Sequence, residues 1–331
     1  MTGSKINPII LSAAEVEELL SMETAIELMR DAFAIISNGS SQVPVRTVLP
    51  IEEYHGASLT MPSYISNKRV FGIKSVTAFL NNPTLSLPAI QAIYLLFDAA
   101  TGQLKCLMDA DTMTMLRTGA GAGLATELLA REDAAILAVF GTGVQARGQM
   151  EAICAVRAIQ KIYVFCRDGE KGEKFCQNMS ERLQKDISLA RSIDLLKEAD
   201  IVSTATSSSS PVFEHHNLKP GVHINSVGSF TAKMAEVPSE TVCLSKLVVD
   251  QREAALKEAG DLLKPIEEGK ITKDYIFAEL GEIVLKQKTG RKNNSEITFF
   301  KSVGNAVQDL VCADMIEQQA RHNKMGSPLN L

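Results

Sequence analysis

The chain has 331 residues, of which 45% are hydrophobic and 22% are charged, and its formal net charge is −5. This length favours about two domains, and the composition excludes a disordered, collagen-like or coiled-coil protein. The acidic balance and the low aromatic content argue against nucleic acid as a partner. Because no apolar run reaches about 18 residues, we expect no membrane span.

The thiols and the start of the chain point to one compartment. The chain begins without the apolar segment of a secretory signal. Its six cysteines are scattered without a C-x-x-C motif, so neither a disulfide framework nor a zinc ribbon is expected. The five histidines show no metal-ligand spacing, and no metal site is predicted. We therefore expect reduced thiols and a cytoplasmic location.

The chain opens with two predicted helices. Ser12 and Glu15 form a capping-box pattern ahead of the first. An amphipathic helix follows over residues 22–38 and ends at Gly39.

Short β-branched runs then fill residues 43–108, with turn residues at 98–102. They predict an antiparallel or mixed sheet that contains a hairpin. A Gly/Ala-rich helix is expected to begin at about Arg117. Beyond it, strands alternate with helical stretches, which is typical of a parallel sheet; the predicted strands are 135–140, 161–166, 199–205, 222–227 and 246–250.

The change of pattern predicts two domains and an α/β fold. Residues 1–118, rejoined by a helix within 302–331, form the first domain, and residues 119–301 form a Rossmann dinucleotide-binding domain. The last helix, from Ser302 to about His322, is expected to bury one apolar stripe.

A dinucleotide-binding turn follows the first strand of the second domain. Its residues are Gly141, Thr142, Gly143, Val144, Gln145 and Ala146, a G-x-G-x-x-A pattern that opens a helix. Gly141 permits the tight turn, Gly143 lets a pyrophosphate approach the backbone, and Ala146 lets helix and strand pack closely. A purely structural turn is the alternative.

The end of the second strand bears on the choice of cofactor. An NAD site usually places an acid there to bind the ribose hydroxyls. This chain has Cys166, Arg167 and Asp168. The arginine favours NADP(H), with NAD(H) as the alternative. In the other interpretation Arg167 is a solvated surface residue and Asp168 caps the next helix.

Three cations stand alone in apolar or small-residue segments: Arg46, Lys74 and Arg117. Guanidinium groups bind carboxylates in a bidentate manner. A lysine desolvated near other cations has a lowered pKa and can transfer protons. The three therefore indicate an anionic ligand, and charges that simply face water are the alternative.

At this point the motifs resemble a known family. VPVRT, FGIKSV, LLFDAATG, LRTGAGAGLAT, GTGVQA, STATSSSSPVF, HINSVGSF and KSVGNAVQD occur in the order of the ornithine cyclodeaminase/mu-crystallin family, over residues 10–320. The resemblance implies a Rossmann domain and an N-terminal α/β domain that binds substrate and makes a homodimer. It also implies hydride transfer between a nicotinamide cofactor and the α-carbon of a small amino or imino acid.

The resemblance assigns roles by motif. Arg46 and Arg117 would hold the substrate carboxylate, and Lys74 would bind that carboxylate or relay a proton. Together with Cys166 and Arg167, the expected cofactor contacts are Thr118 and Gln145 at the phosphates, Thr204 and Thr206 at the ribose, and Val227, Gly228, Ser229 and Ser302 at the nicotinamide.

The loop after the fourth Rossmann strand departs from the family. Cyclodeaminases of the family carry an Asp where this chain has Phe230, and reductase-like members carry a longer motif of which only Glu236 is retained. Phe230 can neither accept a hydrogen bond nor act as a base. We therefore expect reduction of a cyclic imino acid, such as Δ1-pyrroline-2-carboxylate, to the L-amino acid. The alternatives are ornithine cyclodeaminase and a non-catalytic, mu-crystallin-like binding protein.

Overall fold

The computed structural model describes residues 6–66, 68–79 and 81–330. Residues 1–5, on which the expectation of no secretory signal partly rests, lie outside this part of the chain. The first 129 residues supply β1 (Ile9–Leu11), α1 (Ala13–Leu19), α2 (Met22–Ser37), β2 (Ser41–Gln42), β3 (Thr47–Ile51), β4 (Gly56–Ile65), β5 (Val70–Phe79), β6 (Ile90–Asp98), β7 (Leu104–Asp109) and α3 (Ala110–Leu129).

The remaining residues supply β8 (Ile136–Phe140), α4 (Val144–Val156), β9 (Lys161–Phe165), α5 (Gly169–Leu183), β10 (Asp186–Leu189), β11 (Ile201–Thr204), β12 (His223–Ser226), α6 (Ser239–Cys243), β13 (Lys246–Val249), α7 (Arg252–Glu258), α8 (Gly260–Glu267), β14 (Ala278–Glu279), α9 (Leu280–Val284), β15 (Thr298–Lys301), α10 (Ala306–Asn323) and β16 (Ser327–Pro328).

Internal contacts divide the chain into two compact units. Unit 1 contains the residues up to Arg117 together with those from Asn305 onward, and unit 2 runs from Thr118 to Gly304. The return of the chain to unit 1 is made by α10.

Unit 1 is a mixed sheet packed on helices. Its strands run in the order β16-β1-β7-β6-β5-β4-β2, and β3 also pairs with β4. β1 is parallel to β7 and the other pairs are antiparallel. The sequence prediction of a mixed sheet is confirmed. The capping box of Ser12 and Glu15 is present at α1, and Gly39 adopts φ +73° just beyond α2.

Two helix predictions need correction. α3 begins at Ala110 rather than at Arg117, and the Asp109 carboxylate accepts a hydrogen bond from Thr112 N in its first turn. α10 does not bury a single stripe, because it is buried on almost every side from Ala306 to Glu317. It covers one face of the unit 1 sheet and also packs against α2. A helix enclosed in this way needs partners for its polar residues, and Asp309 is one of them.

Unit 2 has the predicted parallel sheet. Its order is β10-β9-β8-β11-β12-β15-β13-β14, and the described pairs are all parallel. The strand order reverses between β8 and β11, which is the switch point where doubly wound folds bind nucleotides. The sequence prediction missed β10, β14 and β15. β15 is a central, fully buried strand between β12 and β13, and its TFFK sequence is too short for a periodic pattern.

Within the described residues no helix has the length and apolar character that crossing a membrane requires. The six cysteines are free thiols in this structure.

Candidate active site

Lys74 lies in the centre of unit 1, in strand β5 between Met61 of β4 and Tyr94 of β6. Alternation along the strand turns its side chain toward the face that α10 covers. Only 3% of the Lys74 surface is exposed. An ammonium group at such a depth requires a partner.

The partner is Asp309 in α10, which sequence analysis missed. The Lys74 Nζ–Asp309 Oδ2 distance is 2.8 Å, and Arg117 Nε lies 3.0 Å from Asp309 Oδ1. Arg117 Nη1 also donates to Gln308 Oε1 at 3.2 Å. Lys74, Arg117 and Asp309 are all buried. Two cations share one carboxylate, so this ion-paired triad keeps one net positive charge.

The triad sets the protonation of its members. Burial, with a contribution from the charges of Arg117 and Arg46, lowers the pKa of Lys74 to about 8 against the opposing effect of Asp309. Burial alone would raise the pKa of Asp309, but Arg117 and Lys74 outweigh it and hold that pKa below its usual value. Lys74 therefore carries its proton at neutral pH but releases it more readily than an ordinary lysine, which suits a proton donor.

Arg46 precedes β3 and is half-buried. Its positive charge is close enough to contribute to the lowered pKa of Lys74. The structure thus brings the three predicted cations of unit 1 into one electrostatic environment, and it adds an acid among them.

The dinucleotide turn of unit 2 has the predicted form. Gly141 has φ +113°, and a Cβ there would lie 2.6 Å from Ala205 O, so only glycine fits. Gly143 is the N-cap residue of α4 and faces open space, with nothing within 4 Å of an added Cβ. Ala146 is fully buried in the core against β8. The N-terminus of α4 is therefore an open cradle for phosphate.

Two further residues lie beside this cradle. Gln145 Oε1 is buried and has no hydrogen-bond partner among the described residues. This oxygen can accept a hydrogen bond from a ligand hydroxyl, such as that of a ribose. Thr118 is half-buried near the start of unit 2, and its carbonyl accepts from Gln149 Nε2 at 3.4 Å. An NAD(P) pyrophosphate and ribose thus fit the turn as its atoms stand.

The end of β9 carries the residues expected to choose between cofactors. Arg167 and Asp168 are exposed, and Cys166 is half-buried with its Sγ 3.1 Å from Asp168 O. The Asp168 carboxylate accepts from Lys171 N at 3.0 Å and caps α5. This matches the alternative interpretation for Asp168, whereas Arg167 is free to face a ligand.

The predicted nicotinamide residues lie at the ends of β11 and β12. Thr204 is fully buried, Ser229 also is, and Val227 is nearly so. Thr206, Gly228 and Ser229 donate backbone N–H groups to Glu236. Ser302 follows β15, and its hydroxyl donates to Asp250 Oδ2 at 2.9 Å. The hydroxyls of Thr204 and Ser302 are thus engaged within the protein, which the sequence could not indicate.

Fold and sites together define a class: a two-unit protein with a dinucleotide turn in one unit and a buried, net-positive triad in the other. The chain belongs to the ornithine cyclodeaminase/mu-crystallin family, whose model matches residues 6–324. The resemblance drawn from the motifs is confirmed.

Relatives within this family have known activities. The chain is 39% identical to a Δ1-pyrroline-2-carboxylate reductase of Bacillus cereus, with 96% of this chain and 98% of that protein aligned. A solved structure of the Thermococcus litoralis Δ1-pyrroline-2-carboxylate reductase, in complex with NADH and L-proline, has a TM-score of 0.94 and 40% identity and covers 97% of this chain and 100% of that one. An archaeal alanine dehydrogenase dimer with bound NAD has a TM-score of 0.92 and 30% identity, covering 98% and 100%.

Proposed function

We propose that the protein is an NAD(P)H-dependent reductase that converts a cyclic imino acid, Δ1-pyrroline-2-carboxylate or a related ketimine, to the L-amino acid. The observation that carries this proposal is the buried triad of Lys74, Arg117 and Asp309, which retains a positive charge in a chain that also has a dinucleotide turn. The activities of the full-length relatives support it.

The substrate carboxylate binds to the cations of unit 1. Arg117 presents a guanidinium whose Nε is used by Asp309 and whose Nη1 contacts Gln308, so its Nη2 is the group for the ligand. Arg46 supplies a second guanidinium from the segment before β3. A carboxylate held by two cations in a buried site fixes the imine carbon in position.

Lys74 provides the proton. In the reduction the imine carbon gains a hydride and the imine nitrogen gains a proton. The cofactor supplies the hydride when it is bound. Because its pKa is lowered to about 8, Lys74 gives up its proton more readily than an ordinary lysine. Asp309 keeps the amine charged at neutral pH and oriented, so that each turnover starts with the proton in place.

The cofactor binds to unit 2. Gly143 and the first turn of α4 hold the pyrophosphate, Gly141 and Gln145 shape the turn, and Arg167 contacts a 2′-phosphate. Thr118 and Cys166 border these groups. The nicotinamide end consists of Thr206, Val227, Gly228, Ser229 and Ser302. Thr204, the last residue of β11, supports it through its hydrogen bond to Glu236.

Phe230 bears on the substrate class. It lies in the loop after β12 and is 43% exposed. An apolar ring there provides neither a hydrogen-bond acceptor nor a base for the side-chain amine of a diamino acid. This favours a ring-closed substrate over L-ornithine.

Unit 1 offers the face for a homodimer. α10 covers the side of the sheet that carries Lys74, whereas Phe71, Ile73, Leu95 and Phe97 point to the other side and remain half-buried. Phe71 and Phe97 stack with ring centroids 4.8 Å apart. A partly exposed apolar face of this kind suits a second copy of the chain. We place the dimer in the cytoplasm, where its free thiols stay reduced.

The test is a pair of assays on the purified protein. We expect oxidation of NADPH in proportion to added Δ1-pyrroline-2-carboxylate, followed at the nicotinamide absorbance band, and loss of this activity in Lys74→Met. Release of ammonia from L-ornithine without net cofactor oxidation would instead identify a cyclodeaminase. Tight NADPH binding with neither activity would identify a binding protein.

A further inference from the structure

A second buried ionic cluster lies beneath the nicotinamide end of unit 2. It consists of Glu236, Asp261 and Lys301, and each of the three is at most 1% exposed. Lys301 Nζ lies 3.1 Å from Asp261 Oδ2 and 3.1 Å from Ser226 Oγ. The Ser226 hydroxyl in turn lies 2.9 Å from Asp261 Oδ2 and 3.3 Å from Glu236 Oε2. Three charged groups are thus joined by one hydroxyl at the end of β12.

The Glu236 carboxylate accepts hydrogen bonds from two loops. Its Oε2 accepts from Thr204 Oγ1 at 3.0 Å, Gly228 N at 2.8 Å and Ser229 N at 3.1 Å. Its Oε1 accepts from Thr206 N at 2.5 Å. The donors come from the segment at the end of β11 and from the segment at the end of β12. One carboxylate therefore ties two loops together, and its complete burial keeps it from contacting a ligand directly.

Asp261 fixes Glu236 from below. Its Oδ1 accepts from Glu236 N at 2.7 Å and from Val237 N at 3.1 Å. The two loops also touch directly, because a Cβ on Gly228 would lie 2.2 Å from Thr206 O. Such a contact is held only while both loops keep their positions. Lys301 offsets the charge of the two carboxylates, since a buried acid pair without a cation is costly.

The place of these loops in the fold gives them a role. In a doubly wound sheet the dinucleotide lies across the strand-order reversal, with one mononucleotide over each half. The phosphate turn after β8 lies on one side of this reversal, and β11 and β12 lie on the other. The loops tied by Glu236 therefore face the nicotinamide half.

We propose that Glu236, anchored by Asp261 and Lys301, is a positioning residue that holds the loops after β11 and β12 in the conformation that receives the nicotinamide half of the cofactor. This inference rests on the proposed function only in that it assumes a nicotinamide dinucleotide. It assigns a purpose to the one acid retained in a loop that otherwise departs from the family pattern.

Glu236→Gln breaks this arrangement with almost no change in shape. An amide has one acceptor oxygen and one NH2 group. If its oxygen faces Gly228 N and Ser229 N, its NH2 faces Thr206 N, and the reverse orientation leaves the other two donors facing an NH2. Either way one loop loses its acceptor.

The experiment compares two ligands by titration calorimetry on the full chain. NADPH spans both halves of the site, whereas 2′,5′-ADP reaches only the adenine half. For Glu236→Gln we expect a rise in the NADPH Kd of about tenfold or more, while the 2′,5′-ADP Kd stays within about twofold. Glu253→Gln is the matched control, because Glu253 is exposed on α7 and pairs only with Lys257 among the described contacts.

A second variant guards against failure to fold. Ser226→Ala removes the hydroxyl that links the three charged groups and introduces no new donor. We expect it to weaken NADPH by about threefold and to leave 2′,5′-ADP unchanged. Equal losses for both ligands, or no loss of NADPH in either variant, would overturn the inference.

Wild-type activity separates this result from the function. If the wild type does not reduce Δ1-pyrroline-2-carboxylate but Glu236→Gln weakens NADPH selectively, the proposed reaction is wrong and the positioning role stands. If the wild type is an active reductase and the variant binds both ligands as the wild type does, the positioning role is wrong and the reaction stands.

Discussion

The two units each bury an ionic triad, and the triads have opposite charge balance. In unit 1, Lys74 and Arg117 share Asp309. In unit 2, Lys301 pairs with Asp261, and the Ser226 hydroxyl links both to Glu236. The first cluster keeps a positive charge and leaves guanidinium donors unused by Asp309. The second keeps a negative charge that is met by the protein's own N–H and hydroxyl groups.

The difference in net charge distinguishes a ligand-binding site from a cluster that stabilises the protein's own conformation. A buried charge that the protein itself satisfies stabilises one local conformation, whereas a buried charge that it leaves in excess favours a ligand of opposite sign. By this criterion the triad of unit 1 is the place for an anionic substrate. The triad of unit 2 shapes the protein around a cofactor.

The largest expected effect comes from breaking both triads in turn. Asp309→Asn leaves two buried cations together, and Lys301→Met leaves two buried acids. Removing one partner of a buried ion pair costs about 3–5 kcal/mol, so each variant should lose about that much free energy of unfolding. Denaturant titrations at several pH values measure it.

The pH dependence of the two losses should be opposite. Lys74 has a folded-state pKa below its unfolded value, so its unfolded state binds more protons and stability rises with pH across that window. Asp309→Asn lowers the folded-state pKa of Lys74 further, so the penalty of this variant shrinks as pH rises toward about 8. Burial raises the pKa of Glu236, so the folded state binds more protons, and the penalty of Lys301→Met shrinks toward low pH. Parallel pH profiles would contradict the assignment of charges.

Arg117→Ala tests the ligand side of the comparison. If this guanidinium holds the substrate carboxylate, kcat/KM for imine reduction should fall by an amount that corresponds to about 2–4 kcal/mol of lost transition-state stabilisation. The reason is that the carboxylate loses a charged partner in a buried site. Arg69→Ala is the matched control, since Arg69 is an exposed arginine of the same unit. A similar loss in both variants would show that the effect is not specific to the triad.

The protonation of Lys74 should appear in the rate. Because the amine must carry a proton to give one, kcat for reduction should fall above about pH 8, by about tenfold per pH unit, or 1.4 kcal/mol. The charged groups that influence the pKa of Lys74 are Asp309, Arg117 and Arg46. Asp111 also interacts electrostatically with Lys74. Since Asp309 raises the pKa of Lys74, Asp309→Asn should move this limb to lower pH. If kcat of Asp309→Asn falls at the same pH as kcat of the wild type, Lys74 is not the proton donor.

The sequence predicted one side of this comparison better than the other. The glycine turn, the parallel strands and the isolated cations are local patterns that a single segment displays. Asp309 lies 192 residues from Arg117 in the sequence, so no local pattern connects them. The available sign of its role was an acidic side chain in a helix with many apolar residues. That helix was expected to have a polar side, and an acid needs no special partner there. Its burial on almost every side makes Asp309 a partner for the cations.

Glu236 was recognised only as a residue that the loop retained. Its role depends on backbone N–H groups from loops that meet through the fold, and no side-chain pattern encodes them. β15 was missed for the same kind of reason. Its position between β12 and β13 is set by strand order, and strand order was inferred only as far as a parallel sheet.

The smallest expected effect concerns a cation outside both triads. Arg167 is exposed at the end of β9, so a contact to the 2′-phosphate of NADPH is screened by solvent and contributes about 1 kcal/mol. Arg167→Ala should therefore raise the NADPH Kd about fivefold and leave the NADH Kd unchanged, as measured by fluorescence titration of both cofactors. Added salt should reduce the difference, because exposed charges are screened and buried triads are not. Equal changes for NADH and NADPH would mean that Arg167 acts on the turn rather than on the phosphate.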